Sequence, residues 1–199
     1  MTRRTFIIAT VVVAASRAVH GQSLDEARKS YDAGAYQQAV DAIGGSQDPR
    51  LLFLAAQSQQ KLRRPDDARR AYEQLAARPA GDPWGAIGRS AIALLGGNAA
   101  GALQEADQAV GSGPSIAEAH FQRGLALSGA QNMGDAAAAF QKASDLDPAW
   151  SYPHYYAGIA YSKVKRADLT ASHFQTFLRL APQAPERGEV QSILRTLSK

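Results

Sequence analysis

Residues 117–150 read AEAHFQRGLALSGAQNMGDAAAAFQKASDLDPAW, and residues 151–184 read SYPHYYAGIAYSKVKRADLTASHFQTFLRLAPQA. The same register extends back through 83–116 and 49–82. Four columns recur every 34 residues: Ala68, Ala102, Ala136 and Thr170; Tyr72, Ala106, Phe140 and Phe174; Leu75, Ala109, Ala143 and Phe177; and Ala56, Ser90, Gly124 and Gly158. A fixed period of this length predicts a stack of helical hairpins.

Each repeat has the residues that a close-packed hairpin needs. In the unit 117–150, Gly124 on the first helix lets the second helix approach closely, and we expect Ala136 to meet it there. Phe140 lies one helical turn beyond Ala136 on the same face, and we expect it to fill the gap to the neighbouring hairpin. Pro148 then ends the unit, because proline cannot continue a helix.

These positions resemble the tetratricopeptide repeat (TPR) family. The small residues Gly124 and Ala136 match the family's eighth and twentieth places, Phe140 matches its aromatic at the twenty-fourth, and Pro148 matches its closing proline. The resemblance covers about 160 of the 199 residues. It implies an all-α solenoid whose first helices line a concave groove, and it implies a protein or peptide partner.

The ends of the repeat region depart from the pattern. Residues 22–48 predict an atypical first hairpin, and residues 185–199 predict a capping helix with one apolar stripe. We therefore expect an α-solenoid of about five stacked hairpins plus a C-terminal capping helix. Within it, the unit 83–116 should be the least tightly packed, because Ala106 replaces the aromatic.

The first 21 residues have the composition of a secretory signal peptide. Arg3 and Arg4 precede an apolar run of about ten residues, the pattern typical of secretory signals. A bilayer span needs roughly twenty apolar residues, so we expect no stable membrane insertion once the signal is removed. Small residues allow cleavage after Ala18 or after Gly21.

The export route stays open between two alternatives. The stretch Thr2-Arg3-Arg4-Thr5-Phe6-Ile7 resembles a twin-arginine signal, but paired arginines also occur in general secretory signals. Either route predicts a bacterial periplasmic or secreted protein.

Composition excludes several classes of function. The sequence contains no cysteine, which rules out disulfides, thiol catalysis and thiolate metal sites. Without the three arginines of the first 21 residues, 19 lysines and arginines face 18 acids, a net charge of +1. No later stretch is strongly basic, so we expect no nucleic-acid partner.

The chain lacks the common catalytic motifs: it has no HExxH, GxSxG or GxxxxGK[ST] sequence. His120 and His154 occupy equivalent places in successive units, a helix-packing distance of about 10 Å apart, which is too far to share one zinc ion. We therefore expect no metal, no cofactor and no enzymatic activity.

The first helix of each unit offers candidate groove residues. One column there is Phe53, Ile87, Phe121 and Tyr155, and the candidate partner-binding residues are Phe53, Trp84, Ile87, Phe121, Gln122, Tyr152, Tyr155 and Tyr156. A row of aromatic rings suits an extended peptide or an amphipathic helix. The alternative is that the rings only pack adjacent hairpins.

Two functions fit these expectations. The first is an exported, non-catalytic scaffold or adaptor that binds a peptide or helix in a concave TPR groove. The alternative is a structural or assembly subunit of a bacterial envelope complex that serves pili, outer-membrane assembly or export.

Overall fold

The computed structural model of the protein describes residues 24–198, so the predicted signal segment 1–21, with cleavage after Ala18 or Gly21, lies outside the described residues. The first helix, α1, covers residues 24–32. The others are α2 (Tyr36–Ile43), α3 (Pro49–Lys61), α4 (Pro65–Ala76), α5 (Pro83–Leu95), α6 (Ala99–Ser112), α7 (Ala117–Gly129), α8 (Met133–Leu146), α9 (Ser151–Lys163), α10 (Ala167–Leu180) and α11 (Arg187–Leu197). No residue from 24 to 198 lies in a β-strand.

The helices form a stack in chain order. Each helix from α2 to α10 packs against the next one along the chain, α5 also packs against α7, and α10 packs against α11. The predicted all-α stack of hairpins with a closing helix is therefore confirmed. Among residues 24–198, no helix is long and apolar enough to cross a membrane.

Short polar side chains begin several of the helices. The Asp48 carboxylate accepts from the backbone N–H groups of Arg50 and Leu51 at the start of α3. Asp82 accepts from the N–H of Trp84 in the same way at α5. Each such cap satisfies an otherwise unpaired backbone donor and stabilises a helix by about 1 kcal/mol.

The turn inside each hairpin has the same geometry along the repeat. Arg63, Gly97, Gln131 and Lys165 lie 34 residues apart, and their φ angles are 59°, 75°, 61° and 60°. In each case the next residue donates its N–H to a carbonyl five residues back, as Asn132 does to Leu127. This left-handed turn lets α3–α10 fold back as four similar hairpins, although only Gly97 adopts such a φ without strain.

The close contact at Gly124 and Gly158 is made by an aromatic ring. A Cβ added at Gly124 would lie 2.5 Å from the Phe140 ring, and a Cβ at Gly158 would lie 2.5 Å from the Phe174 ring. The glycine is therefore covered by the aromatic ring of its own hairpin. The ring of Phe140 reaches back along its helix and supplies the three atoms nearest to such a Cβ, so the ring leaves no room for a side chain at position 124.

The hairpin α5–α6 solves the same packing problem differently. Ser90 stands where the later units have glycine, and its hydroxyl donates to the Ala102 carbonyl at 2.7 Å. Ala102 and Ala106 are completely buried and form a small cluster with Ala126. A hydroxyl and small side chains take the place of the ring, so the two helices are joined by a hydrogen bond.

The stack closes on itself, because its first hairpin meets the end of the chain. The Arg28 guanidinium on α1 lies 2.8 Å from the Asp147 carboxylate. The Tyr31 and Tyr152 rings pack edge to face at 4.7 Å. A Cβ at Gly34 would lie 2.7 Å from the Pro185 side chain. The inner side of the stack is therefore occupied by the protein's own side chains.

Candidate partner-binding surface

The predicted groove residues lie mostly in the core. Six of the eight are buried: Phe53, Trp84, Ile87, Phe121, Gln122 and Tyr152. Tyr155 and Tyr156 are half-buried. The expectation of an open row of aromatic rings is corrected here, because the odd-numbered helices approach one another closely and their large side chains fill the space between them.

Ring contacts show how close this approach is. The Phe53 ring on α3 lies 6.3 Å from the Phe121 ring on α7 and 6.4 Å from the Trp150 ring. Phe121 and Trp150 lie 4.6 Å apart. Sequence reasoning missed Trp150, although a bulky aromatic two residues after Pro148 is a signal of packing at the junction between units.

Charged residues bind the first hairpin to this cluster. The Arg28 guanidinium lies 5.5 Å from the Trp150 ring centroid and 3.6 Å from the Glu118 carboxylate. Burial raises the pKa of Glu118, and the nearby Arg28 guanidinium offsets only part of this rise. These contacts are part of the closure, which we define as the polar contacts of Arg28, Asp32 and Lys61 with residues 118, 147, 151 and 186.

Glu186 accepts hydrogen bonds from two side chains. Its carboxylate accepts from Lys61 Nζ at 2.7 Å and from the Tyr152 hydroxyl at 3.0 Å. Burial lowers the pKa of Lys61, but the hydrogen bond to Glu186 and the charge interactions with Glu186 and nearby tyrosines together outweigh it, so the pKa is raised and the ammonium form is favoured. Lys61 on α3 is thereby tied to the connection between α10 and α11.

Asp32 is the weak point of the closure. Its carboxylate accepts from the Ser151 hydroxyl at 2.7 Å. Burial raises the pKa of Asp32 to about 6, and the opposing effects of Ser151 and Arg28 are smaller. Burial therefore favours the protonated form of Asp32, whereas the Ser151 hydroxyl and the Arg28 guanidinium favour its carboxylate.

A strip of partly exposed side chains lies beside the buried rings. Leu125 and Ile159 lie four residues, one helical turn, beyond Phe121 and Tyr155, whereas Gln57 and Ala91 at the equivalent places on α3 and α5 are buried. We define the inner strip as Gln60, Leu94, Leu125 and Ile159, one residue from each of α3, α5, α7 and α9, all of them half-buried or exposed. Gln60 and Leu94 share one column of the repeat and Leu125 and Ile159 share another, so the repeat spacing by itself does not single out the strip.

The inner strip borders a recess of about 110 Å³ between α3, α5 and α7. Its apolar walls are Ala91, Leu94, Leu95 and Leu125, and its polar residues are Gln60, Tyr72 and Gln122. No charged side chain lines it. The recess offers an uncharged space with apolar walls and hydrogen-bonding groups in similar measure.

The histidines form a packed chain on the other side of α9. Gln141 donates to Asp145 at 2.7 Å, so its carbonyl oxygen accepts from His173 Nε2 at 2.7 Å. His173 Nδ1 is then the acceptor for His154 Nδ1, which lies 3.1 Å away. Burial lowers the pKa of both rings, that of His154 to about 4. Both histidines are therefore neutral at pH 7.

The third histidine of the described part lies apart from this pair. His120 Nε2 contacts the Pro114 carbonyl oxygen at 2.9 Å. Within residues 24–198, no group of three or more His, Cys, Asp or Glu side chains is placed to hold a metal ion.

Comparison with known proteins finds similar structures but no related sequence. No protein-family model matches the chain, and no curated protein matches it. A thermophilic TPR protein of Thermus thermophilus is similar, with a TM-score of 0.62 and 22% identity over 88% of this chain and 98% of that one.

Two further solved structures agree on the fold. The TPR2AB domain of yeast Sti1, in its pHSP90 complex, has a TM-score of 0.54 and 13% identity over 89% of this chain and 84% of that one. A MamA double mutant of RS-1 has a TM-score of 0.50 and 21% identity over 86% of this chain and 96% of that one. The protein therefore has the fold of TPR proteins.

Proposed function

We propose that the protein is an exported, non-catalytic interaction scaffold that binds a peptide or helix of a partner protein along its inner strip. Stacked hairpins present an extended surface formed by many repeats, and such surfaces serve binding. The similar TPR2AB domain of yeast Sti1 was solved with a bound partner, which supports the same class of function for this chain.

One observation carries the choice of surface. The side chains of the column that begins at Phe53 are largely buried between the helices. Leu94, Leu125 and Ile159, in contrast, stay partly exposed on three successive odd-numbered helices. Apolar side chains spaced along a row of helices match the apolar face of a helix or an extended peptide. The inner strip is thus the part of the inner side that a partner can still reach.

Site-specific crosslinking in cells tests this surface. A photoreactive residue at Ile159 on α9 should capture one recurrent protein, identified by mass spectrometry, and the recombinant pair should then bind in solution. The matched control is the same residue at Gln175, which is exposed on α10 of the same hairpin. Equal capture at both positions, or no binding by the recombinant pair, would contradict the proposal.

Export rests on the N-terminal sequence and has its own test. Mass spectrometry of the protein from a periplasmic fraction should find a mature N-terminus at Val19 or Gln22. Replacing Arg3 and Arg4 with lysine should block export if the twin-arginine route is used and should leave export by the general route intact. A full-length chain that stays in the cytoplasm would contradict export.

The same preparations address the structural-subunit alternative. A partner that purifies with the protein in fixed stoichiometry from the envelope would favour an assembly subunit. A partner that exchanges on dilution would favour the scaffold.

A further inference from the structure

Gln122 is a buried amide that the protein satisfies on one side only. It is 1% exposed, and its Nε2 donates to the Ser90 hydroxyl at 3.1 Å. The Ser90 hydroxyl donates its proton to the Ala102 carbonyl, so its oxygen can only accept from Gln122. The nitrogen of the Gln122 amide must therefore face Ser90. Gln122 Oε1 then has no hydrogen-bond partner among the described residues.

An orphaned buried acceptor is unfavourable, since it loses its hydration without gaining a partner. Gln122 lines the recess between α3, α5 and α7, so a group entering from the inner strip comes next to this residue. The orphaned oxygen therefore indicates a ligand that brings a hydrogen-bond donor.

Within the described part of the chain, Tyr72, which lines the same recess, lacks an acceptor for its hydroxyl proton, whereas Gln122 lacks a donor. Its hydroxyl oxygen accepts from Gln60 Nε2 at 2.7 Å, and among the described residues its own proton has no acceptor. Tyr72 is completely buried apart from 1% of its surface. Within residues 24–198, the recess is thus lined by one residue with an unpartnered acceptor, Gln122, and by one with an unused donor, Tyr72.

Charge and size narrow the chemistry of the ligand. The lining residues are all uncharged, so a carboxylate or an ammonium would be buried without a counter-ion, which is strongly unfavourable. A hydroxyl or one water would leave much of the 110 Å³ unfilled, because about 10–15 Å³ of cavity volume is enough to hold one water. A carboxamide fills more of the space with its head group, and it both donates and accepts.

The size and lining of the recess favour a side-chain amide over a main-chain amide. A main-chain amide continues on both sides into further residues, which a recess of this size does not admit. A side chain enters by its end, with its methylene groups against Leu94, Leu95 and Leu125.

We infer that this recess takes the carboxamide of an asparagine or glutamine side chain of a partner peptide, with Gln122 and Tyr72 as its hydrogen-bond partners. The inference rests on the proposed scaffold function, since it names what the partner inserts beside the inner strip. Gln122 is then a residue that determines specificity.

Nuclear magnetic resonance with propionamide as the probe tests the recess directly. In the ¹⁵N-labelled full-length protein, propionamide should shift the side-chain amide signals of Gln122 and Gln60 and the backbone signal of Ala91 in a saturable way. For a ligand of this size we expect a dissociation constant on the order of millimolar. Propionate, which has the same number of non-hydrogen atoms and a negative charge, should cause at least about tenfold weaker shifts.

Two glutamines provide a matched pair of variants. Gln122→Leu should weaken propionamide binding at least about tenfold while leaving the urea midpoint unchanged or raised, because it removes an unsatisfied buried acceptor. Gln59→Leu also removes a buried oxygen that has no partner among the described residues, but Gln59 does not line the recess, so binding should persist. Tyr72→Phe gives a second, independent loss of binding if the first variant folds poorly.

A random peptide library, about twenty residues long so that a helix of it spans the roughly 30 Å of the strip, then identifies the source of the carboxamide. Peptides selected on the wild-type protein should carry Asn or Gln at one fixed position, and peptides selected on Gln122→Leu should not. Equal binding of propionamide and propionate, or unchanged binding by Gln122→Leu and Tyr72→Phe, would overturn the inference. Selected peptides without this preference would also overturn it.

The failure of the scaffold function is distinguishable from the failure of this inference. A partner captured at Ile159 whose affinity is unchanged when its Asn and Gln residues are replaced by Leu refutes the carboxamide site and leaves the scaffold in place. Saturable propionamide binding without any captured partner supports the recess chemistry and counts against the scaffold.

Discussion

The contacts between neighbouring helices of a hairpin and the contacts that close the stack are chemically different. Within the hairpins α7–α8 and α9–α10, Phe140 and Phe174 lie directly on Gly124 and Gly158. The closure instead uses an ion pair between Lys61 and Glu186 and hydroxyl or guanidinium contacts nearby. Apolar packing recurs with the repeat, whereas each closure contact occurs once.

This difference in chemistry predicts which contacts respond to salt and pH. The burial of an aromatic ring does not depend on pH and is strengthened, if anything, by salt. Ion pairs that keep some contact with water are weakened by salt, and buried carboxyl groups respond to pH. We therefore expect salt and pH to act on the closure and leave the hairpin packing intact.

The largest expected effect comes from the hairpin packing. Phe140→Ala should lower the free energy of unfolding by about 3–5 kcal/mol, because it removes a completely buried ring and leaves a cavity over Gly124. Urea unfolding followed by circular dichroism measures this, and the loss should be the same at low and high salt. Lys142→Ala, two residues along on the exposed side, should change stability by less than about 0.5 kcal/mol.

A smaller and salt-sensitive effect is expected at the closure. Glu186→Gln removes the charge that faces Lys61 and should cost about 1–3 kcal/mol, since Lys61 is partly solvated. The same urea titration in about 1 M sodium chloride should show a reduced difference between variant and wild type. A cost that does not change with salt would mean that Glu186 acts through packing, and the contrast with Phe140 would be lost.

A pH-dependent effect is expected at Asp32. Its pKa in the folded protein is about 6 against an ordinary value of 3.8, so the folded state binds the proton more tightly than the unfolded state. The stability that Asp32 contributes is therefore complete below about pH 4 and is lost as the pH rises through about 6. Asp32→Asn keeps an acceptor for Ser151 and should raise stability at about pH 8 by about 1–2 kcal/mol.

The control for Asp32→Asn is the same comparison at about pH 3.5, where both proteins have a mostly uncharged side chain at this position. Their unfolding free energies should agree there. Equal stability at the higher pH as well would show that the Asp32 carboxylate is not disfavoured, and the closure would then be less sensitive to pH than its geometry indicates.

The smallest effect concerns the turns that the repeat imposes. Lys165 has a φ of 60°, which glycine adopts without steric strain, so Lys165→Gly should stabilise the protein by about 0.5–1 kcal/mol. Lys163→Gly, in the last turn of α9, should instead destabilise it by about 0.5–1 kcal/mol. Opposite signs in thermal unfolding would support the strained turn, and equal losses would refute it.

The repeat in the sequence was sufficient to predict the hairpins but not the groove. Ala102 and Ala136 recur 34 residues apart, as do Phe140 and Phe174, because similar hairpins need small and large residues at the same places, so periodicity reveals them. The same periodicity found Phe53 and Phe121, yet it could not show whether these side chains face a partner or one another. Whether they do depends on the rotation between successive hairpins, and no single repeat determines this rotation.

The sequence by itself determined the all-α stack of hairpins, because local spacing and helix caps act within one unit or between neighbours. Only the tertiary structure decided that the stack closes, since Arg28 meets Asp147 and Lys61 meets Glu186 from distant parts of the chain. It also decided that the aromatic rings are buried while the inner strip stays accessible. Contacts between distant parts of a chain have no period, so they become visible only when the accumulated rotation of all the hairpins is known.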